Sequence, residues 1–259
     1  MLSKIIIPPH PPNYETPILL AEKDDHAVYW LGAQEATAFR SNSYLILDNN
    51  ESLLIDPGNR SSFPVIKNQV ENVCNIRSLK GLILCHQDPD VAASAVDWLK
   101  LLPELPIISS PRCNVLLPHY GMKDYNFHDI EAKQHHVFSS GRTLSFITAP
   151  FLHSPMAFTT YDEECHLLFS GDIFAALDTE WKMVVENFQD HIPKMELFHT
   201  DYMASNIASR GFVNKIEDLP ISMILPQHGS IIPEEFVEDA LNYLINLQCG
   251  TDLLYPELI

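Results

Sequence analysis

Positive charge is scarce in this sequence. Sixteen lysines and arginines stand against 34 aspartates and glutamates, a formal charge of -18 over 259 residues. Such a field repels phosphate backbones and anionic bilayers, so nucleic acid and membrane surfaces are excluded as expected partners. No apolar run approaches the roughly 20 residues of a membrane span. The N-terminal Ile5-Ile6-Ile7 is stopped by Pro8-Pro9, too short for a secretory signal core. Cysteine is sparse and unpatterned: five residues, at 74, 85, 113, 165 and 249, odd in number and without a CxxC spacing. That excludes a disulfide framework and a zinc ribbon, and a reducing cytoplasm is the expected location. Internal repeats, low-complexity tracts and domain-boundary signals are also lacking, and the length suffices for one large core. A single domain over residues 1–259 is therefore expected, with the proline-rich residues 1–27 as an extended N-terminal arm.

What is present is an alternation of apolar runs and turn chemistry. Residues 27–31, 42–47 and 52–55 read as strands, the last ending in Asp56-Pro57-Gly58. Apolar residues at 63, 66, 70 and 73 form a helical stripe. Residues 79–85 read as a buried strand and 92–102 as a helix, with His86-Gln87-Asp88-Pro89-Asp90 on the connection between them. Three ligand-capable side chains at alternate positions can converge on one point from an extended segment. A polar turn capping the helix, with Asp88 or Asp90 as N-cap, would look the same. After a short strand at 106–109, residues 111–141 read as loop-rich, and their histidines at 119, 128, 135 and 136 lack regular spacing. A strand at 143–148 leads to His153. A hairpin follows, and its second strand ends in Ser170-Gly171-Asp172. Residues 191–217 read as helical, the strand at 221–225 ends in Pro226-Gln227-His228-Gly229, and a closing helix follows Pro233.

Four separated strand ends thus deliver His86, Asp88 and Asp90, then His153, then Asp172, then His228, while Asp56 stands at a fifth. Three imidazoles and three carboxylates suit two metal ions sharing one carboxylate. This pattern, preceded by Asn42-Ser-Tyr and Ile55-Asp-Pro-Gly, resembles the metallo-β-lactamase superfamily. It is most similar to the diiron domain of flavodiiron proteins and to the stand-alone oxygen-binding diiron proteins. The segments 85–91, 151–155 (Phe-Leu-His-Ser-Pro) and 202–206 (Tyr-Met-Ala-Ser-Asn) resemble the last group in particular.

The resemblance implies an α/β four-layer αββα sandwich. It implies one iron held by His86, Asp88 and His153, the other by Asp90 and His228, with Asp172 bridging, and Asp56 and Tyr202 beyond the ligands. Asp88 is expected to ligate directly. Its carboxylate, standing where hydrolytic members usually carry His, favours iron or manganese over zinc. Val91, where relatives often place a further His, leaves the second metal a ligand short and open to dioxygen. Only 31 residues follow His228, so no flavodoxin domain and no bound flavin are expected. The implied function is binding of, or slow reaction with, dioxygen as a sensor or redox responder. A separate reductase or signalling protein is the implied partner, and a homodimer the assembly by analogy. The alternatives are an O2/NO reductase fed by that reductase and a dinuclear hydrolase of esters, thioesters or phosphoesters. His199 and Tyr202 could reach the site or donate a proton, although helix packing is the better account of both.

Overall fold

A computed structural model of the chain describes residues 3–8, 10–33 and 37–258. One sheet has eight strands in sequence order: β1 (Lys4–Ile5), β2 (Ile18–Lys23), β3 (His26–Gly32), β4 (Asn42–Asp48), β5 (Glu51–Ile55), β6 (Leu79–Ile83), β7 (Ile107–Ser109) and β8 (Phe127–Asp129). Pairing is antiparallel through β5 and parallel from β5 to β8. The second sheet contains β9 (His135–Val137), β10 (Thr143–Thr148), β11 (Phe158–Asp162), β12 (Leu167–Gly171), β13 (Met223–Pro226) and β14 (Ile232–Pro233), in the order 14-13-12-11-10-9. Only β12 and β13 pair in parallel there.

Three cores define the layers. Leu53, Ile55 and Ile83 of the first sheet meet Phe158, Leu167, Phe169 and Leu225 of the second. The alternate residues face outward, as the two-residue period of a strand requires. Leu54 and Leu82 pack under α1 (Phe63–Val73) and, beyond the short α2 (Pro89–Ala92), under α3 (Ala95–Leu101) through Ile66, Val70 and Trp98. After α4 (Pro111–Leu116), the second sheet is covered by α5 (Phe188–Tyr202), α6 (Asn206–Ile216) and α7 (Val237–Asn246), followed by α8 (Thr251–Leu254). Leu168 and Ile224 there meet Phe198, Phe212 and Leu244. Helix, sheet, sheet, helix is the expected four-layer sandwich. No helix among the described residues is long and apolar enough to cross a membrane, and all five cysteines are free.

Several expectations need correction. Residues 18–23 of the supposed arm form β2, paired along its length with β3; its prolines at 8, 11, 12 and 17 precede the strand, so they do not interrupt its ladder. Residues 1, 2 and 9 of that arm lie outside the described residues. The loop-rich segment 111–141 also holds the short elements α4, β8 and β9. The helix expected at 92–102 is two helices separated at Ala93–Ser94. The run 191–217 is likewise two, broken at Met203, whose backbone is extended.

Candidate metal centre

The parallel pairs β5–β6 and β12–β13 bring their carboxyl ends to one rim of the sandwich, and the chemistry gathers there. Asp56 follows β5, His86 follows β6, Asp172 follows β12 and His228 follows β13. His153 arrives on the turn after β10, whose Phe151 carbonyl accepts the Ala204 N–H of the α5–α6 break. Asn42 stitches the sheets at this rim. Its amide accepts from Trp30 Nε1 at 2.9 Å and donates to the carbonyls of Pro226 and Gly229 at 2.9 and 3.0 Å. Gly229 has φ +85°, and a Cβ there would lie 2.7 Å from the Ala176 carbonyl oxygen, so only glycine fits beside His228.

Asp172 divides the site in two. Its Oδ2 lies 3.1 Å from His86 Nε2 and 2.9 Å from His153 Nε2, while its Oδ1 lies 3.4 Å from His228 Nε2. Asp88 Oδ2 completes the first group at 3.6 Å from His86 and 3.4 Å from His153. Asp90 Oδ2 completes the second at 3.0 Å from His228. All six residues singled out from the sequence therefore converge, Asp88 beside His86 and His153, Asp90 beside His228, and Asp172 between them. His86, Asp172 and His228 form a buried wall, whereas the Asp88 and Asp90 side chains are 34% and 26% exposed and mark the open side. Asp88 occupies the N-cap position of α2 but makes no capping hydrogen bond; its carboxylate is turned to the site instead.

The donor set fits metal ions. His86 Nε2, His228 Nε2 and Asp172 Oδ1 are buried without a hydrogen-bond partner among the described residues. Orphaned polar atoms of this kind are costly unless something else satisfies them. In the free chain the opposed charges hold one another. Burial alone would pull the His153 imidazole down, but Asp172 and Asp88 push it up to about 9. Asp172 is lowered well below the usual carboxylate range, chiefly by His86 and His153 against its own desolvation. Oxygen and imidazole donors without sulfur suit iron, manganese or zinc.

The surrounding contacts differ in part from expectation. His228 Nδ1–H donates to the Arg40 carbonyl at 2.9 Å, which turns Nε2 to the site, and Phe39 packs on its ring at 4.0 Å between centroids. Asp56 makes no hydrogen bond to a ligand side chain. Its Oδ1 accepts the Cys85 N–H at 2.9 Å, and burial pushes its carboxyl up to about 6. The Cys85 sulfur, not Asp56, lies 3.1 Å from His86 Nδ1. Tyr202 is half exposed, stacks on Phe198 and presents its ring to the edge of His153 at 5.7 Å, with no hydrogen bond to it. His199 is buried with Nδ1 3.0 Å from Tyr243 Oη, a helix-packing contact, and also interacts with the Asp172 backbone. Gln87 and Gln227, which donate to Asp88 and Asp90, were missed. Their only sequence signal is position, one beside each ligand motif.

Comparison with known proteins places this arrangement. A structure described as the peroxy diiron species of chemotaxis sensor ODP is 33% identical with a TM-score of 0.83, covering 93% of this chain and 100% of that one. The apo state of chemotaxis sensor ODP from T. denticola gives 33% and 0.81. The flavodiiron protein of Giardia intestinalis, at 21% identity and TM-score 0.71, shares the fold. Among curated proteins, the anaerobic nitric oxide reductase flavorubredoxins of Pectobacterium atrosepticum and Aeromonas salmonicida are 26% and 25% identical over 73% and 78% of this chain. The chain spans only 38% and 40% of their length. The family model described as ODP family beta lactamase matches residues 39–229. That match encloses all six convergent residues, and the chain belongs to this family, within the flavodiiron-like branch of the metallo-β-lactamase superfamily.

Proposed function

We propose that the chain is a non-haem diiron protein that binds or slowly reacts with dioxygen as an oxygen sensor or redox responder. The observation that carries this reading is the split of Asp172, one oxygen toward His86 and His153 and the other toward His228. A relative at 33% identity that is described as a peroxy diiron chemotaxis sensor supports it. His86, Asp88 and His153 would hold one iron, Asp90 and His228 the other, and Asp172 both. A reduced iron pair supplies redox electrons and room for dioxygen to coordinate. The protein's part is to present six fixed donors, to keep the buried wall dry through Phe39 and Phe198, and to leave the Asp88–Asp90 side accessible to a small molecule. Val91 is buried in the apolar core beneath α3, so the position after Asp90 offers no imidazole. A single domain, a cytoplasmic location, a homodimer and a separate reductase or signalling partner belong to the same proposal.

The test is anaerobic reconstitution with ferrous iron, metal analysis, then exposure to air. Two irons per chain and a new visible ligand-to-metal band are expected. An iron-loaded sample whose spectrum stays unchanged in air would overturn the reading. So would two zinc ions per chain with turnover of a generic ester.

A further inference from the structure

Between His86 and Asp88 lies a side chain whose amide is hydrogen-bonded at both ends, once to its own loop and once to the His153 loop. Gln87 Nε2 donates to Asp88 Oδ1 at 2.8 Å, and Gln87 Oε1 accepts from Ser154 Oγ at 2.8 Å. The Gln87 carbonyl accepts from Tyr120 Oη at 2.7 Å. The orientation of the amide follows from chemistry. An ionised carboxylate only accepts, so the amide end facing Asp88 is nitrogen and the end facing Ser154 is oxygen.

We propose that Gln87 is a positioning residue for the metal centre: by taking Asp88 Oδ1 it leaves Oδ2 alone to face His86 and His153, and through Ser154 it couples that choice to the His153 loop. The inference rests on the diiron reading above and adds a residue to it. Asp88 needs such a restraint. Its carboxylate is one-third exposed, it has no capping bond to α2, and its two oxygens are equivalent by rotation about a single bond. No other hydrogen-bond donor reaches Asp88 Oδ1 among the described residues. Once Oδ1 is held, the position of Oδ2 follows from the short side chain. Ser154 directly follows His153, so the amide spans the two loops whose ligands share Asp172 Oδ2. Partners of this sort outside the ligand shell commonly govern metal affinity by 10–100-fold.

Two variants separate positioning from a mere tie between loops. Gln87→Glu keeps an oxygen to accept from Ser154 but turns an acceptor toward Asp88 Oδ1. Gln87→Met has a similar length and makes neither bond. Each is titrated with cobalt(II), whose absorption reports coordination without redox chemistry, and each metal-free protein is melted alongside wild type. Cobalt affinity is expected to fall about 10–100-fold in both variants, with an altered d–d spectrum, and Gln87→Glu is expected to be at least as impaired as Gln87→Met. Unchanged or tighter binding with a wild-type spectrum in Gln87→Glu would mean that only the Ser154 tie matters and would overturn the proposal. If Gln87→Glu does not fold, wild-type binding by Gln87→Met overturns it equally. Wild-type protein that takes up no metal defeats the diiron reading itself. Wild-type protein loading two ions while both variants match it defeats only the role of Gln87.

Discussion

His153 illustrates how a single side chain couples charge to metal loading. Burial lowers its proton affinity, yet the carboxylates of Asp172 at 2.9 Å and Asp88 at 3.4 Å raise it to about 9. At neutral pH the imidazole of the free chain is therefore protonated, and a metal must displace that proton to use Nε2. Affinity is expected to rise as pH climbs toward about 9, and His86, which Asp172 raises well above its ordinary value against burial, acts in the same direction. Calorimetric cobalt titrations at pH 7 in two buffers of different ionisation enthalpy measure the effect. Binding heat that is the same in both buffers would show that no proton leaves. At this scale the ligands were legible in the sequence, because His153, Asp172 and His228 each follow an apolar run and carry Gly or Pro close by. Their supports were not. Cys85 and Gln87 act through side-chain contacts whose partners, the His86 ring nitrogen and Asp88 Oδ1, are fixed only by rotamers. No periodicity records a rotamer.

The break between α5 and α6 shows the same limit for a whole element. Residues 191–217 carry a continuous helical pattern, yet the chain turns at 203–205 and restarts with Ser205, whose Oγ accepts the Ala208 N–H. The reason lies in another element. Asn206 Nδ2 donates to the carbonyls of Leu244, Ile245 and Leu247 at the C-terminal end of α7, at 3.4, 2.9 and 2.8 Å, and its own N–H donates to Asp252 at 2.6 Å. The segment 202–206, singled out by resemblance, is thus a joint between α5, α6 and α7 beside the metal centre. It also holds the His153 loop, through the Ala204 N–H on the Phe151 carbonyl. Asn206→Ala removes the side-chain donor to three helix-terminal carbonyls. It is expected to cost about 1–3 kcal/mol, the penalty for leaving partly buried acceptors unpaired. Equilibrium urea unfolding measures it, and a shift within error would mean that water replaces the asparagine.

The two sheets are tied at both rims, by the His86–Asp172–His228 cluster at one and by a buried charge cluster at the other. His26 begins β3, Asp48 ends β4 and Asp162 ends β11, so the three close the sandwich at the end away from Asp172. His26 Nδ1 lies 3.1 Å from Asp48 Oδ1 and Nε2 lies 3.0 Å from Asp162 Oδ2, all three residues at most 1% exposed, and Arg142 reaches Asp48 at 2.8 Å. The sandwich itself was legible in the sequence through strand alternation and the family pattern. This clamp was not, because a lone His at a strand start reads as any other polar end. Desolvation opposes charge on His26, but Asp162 and Asp48 outweigh it and raise the imidazole above its ordinary 6.5. Asp48 is lowered from 3.8 by Ser140, Arg142 and His26 against its own burial. A raised folded value means that the His26 contribution is complete below pH 6.5 and fades as pH climbs through that raised value. A lowered one means that the Asp48 contribution is complete above 3.8 and is lost as pH falls through the lowered value. The clamp is therefore at full strength between those limits. His26→Leu strands the Asp162 carboxylate in the core and is expected to cost about 3–5 kcal/mol at pH 6. The gap from wild type should narrow toward pH 9. Cobalt binding by folded protein should be unaffected, since the cluster lies at the opposite rim. Urea unfolding of the metal-free proteins at both pH values decides the matter. A gap of equal size at pH 6 and pH 9 would mean that His26 stabilises the sandwich by packing against Phe138, its ring neighbour at 6.1 Å, and not by charge.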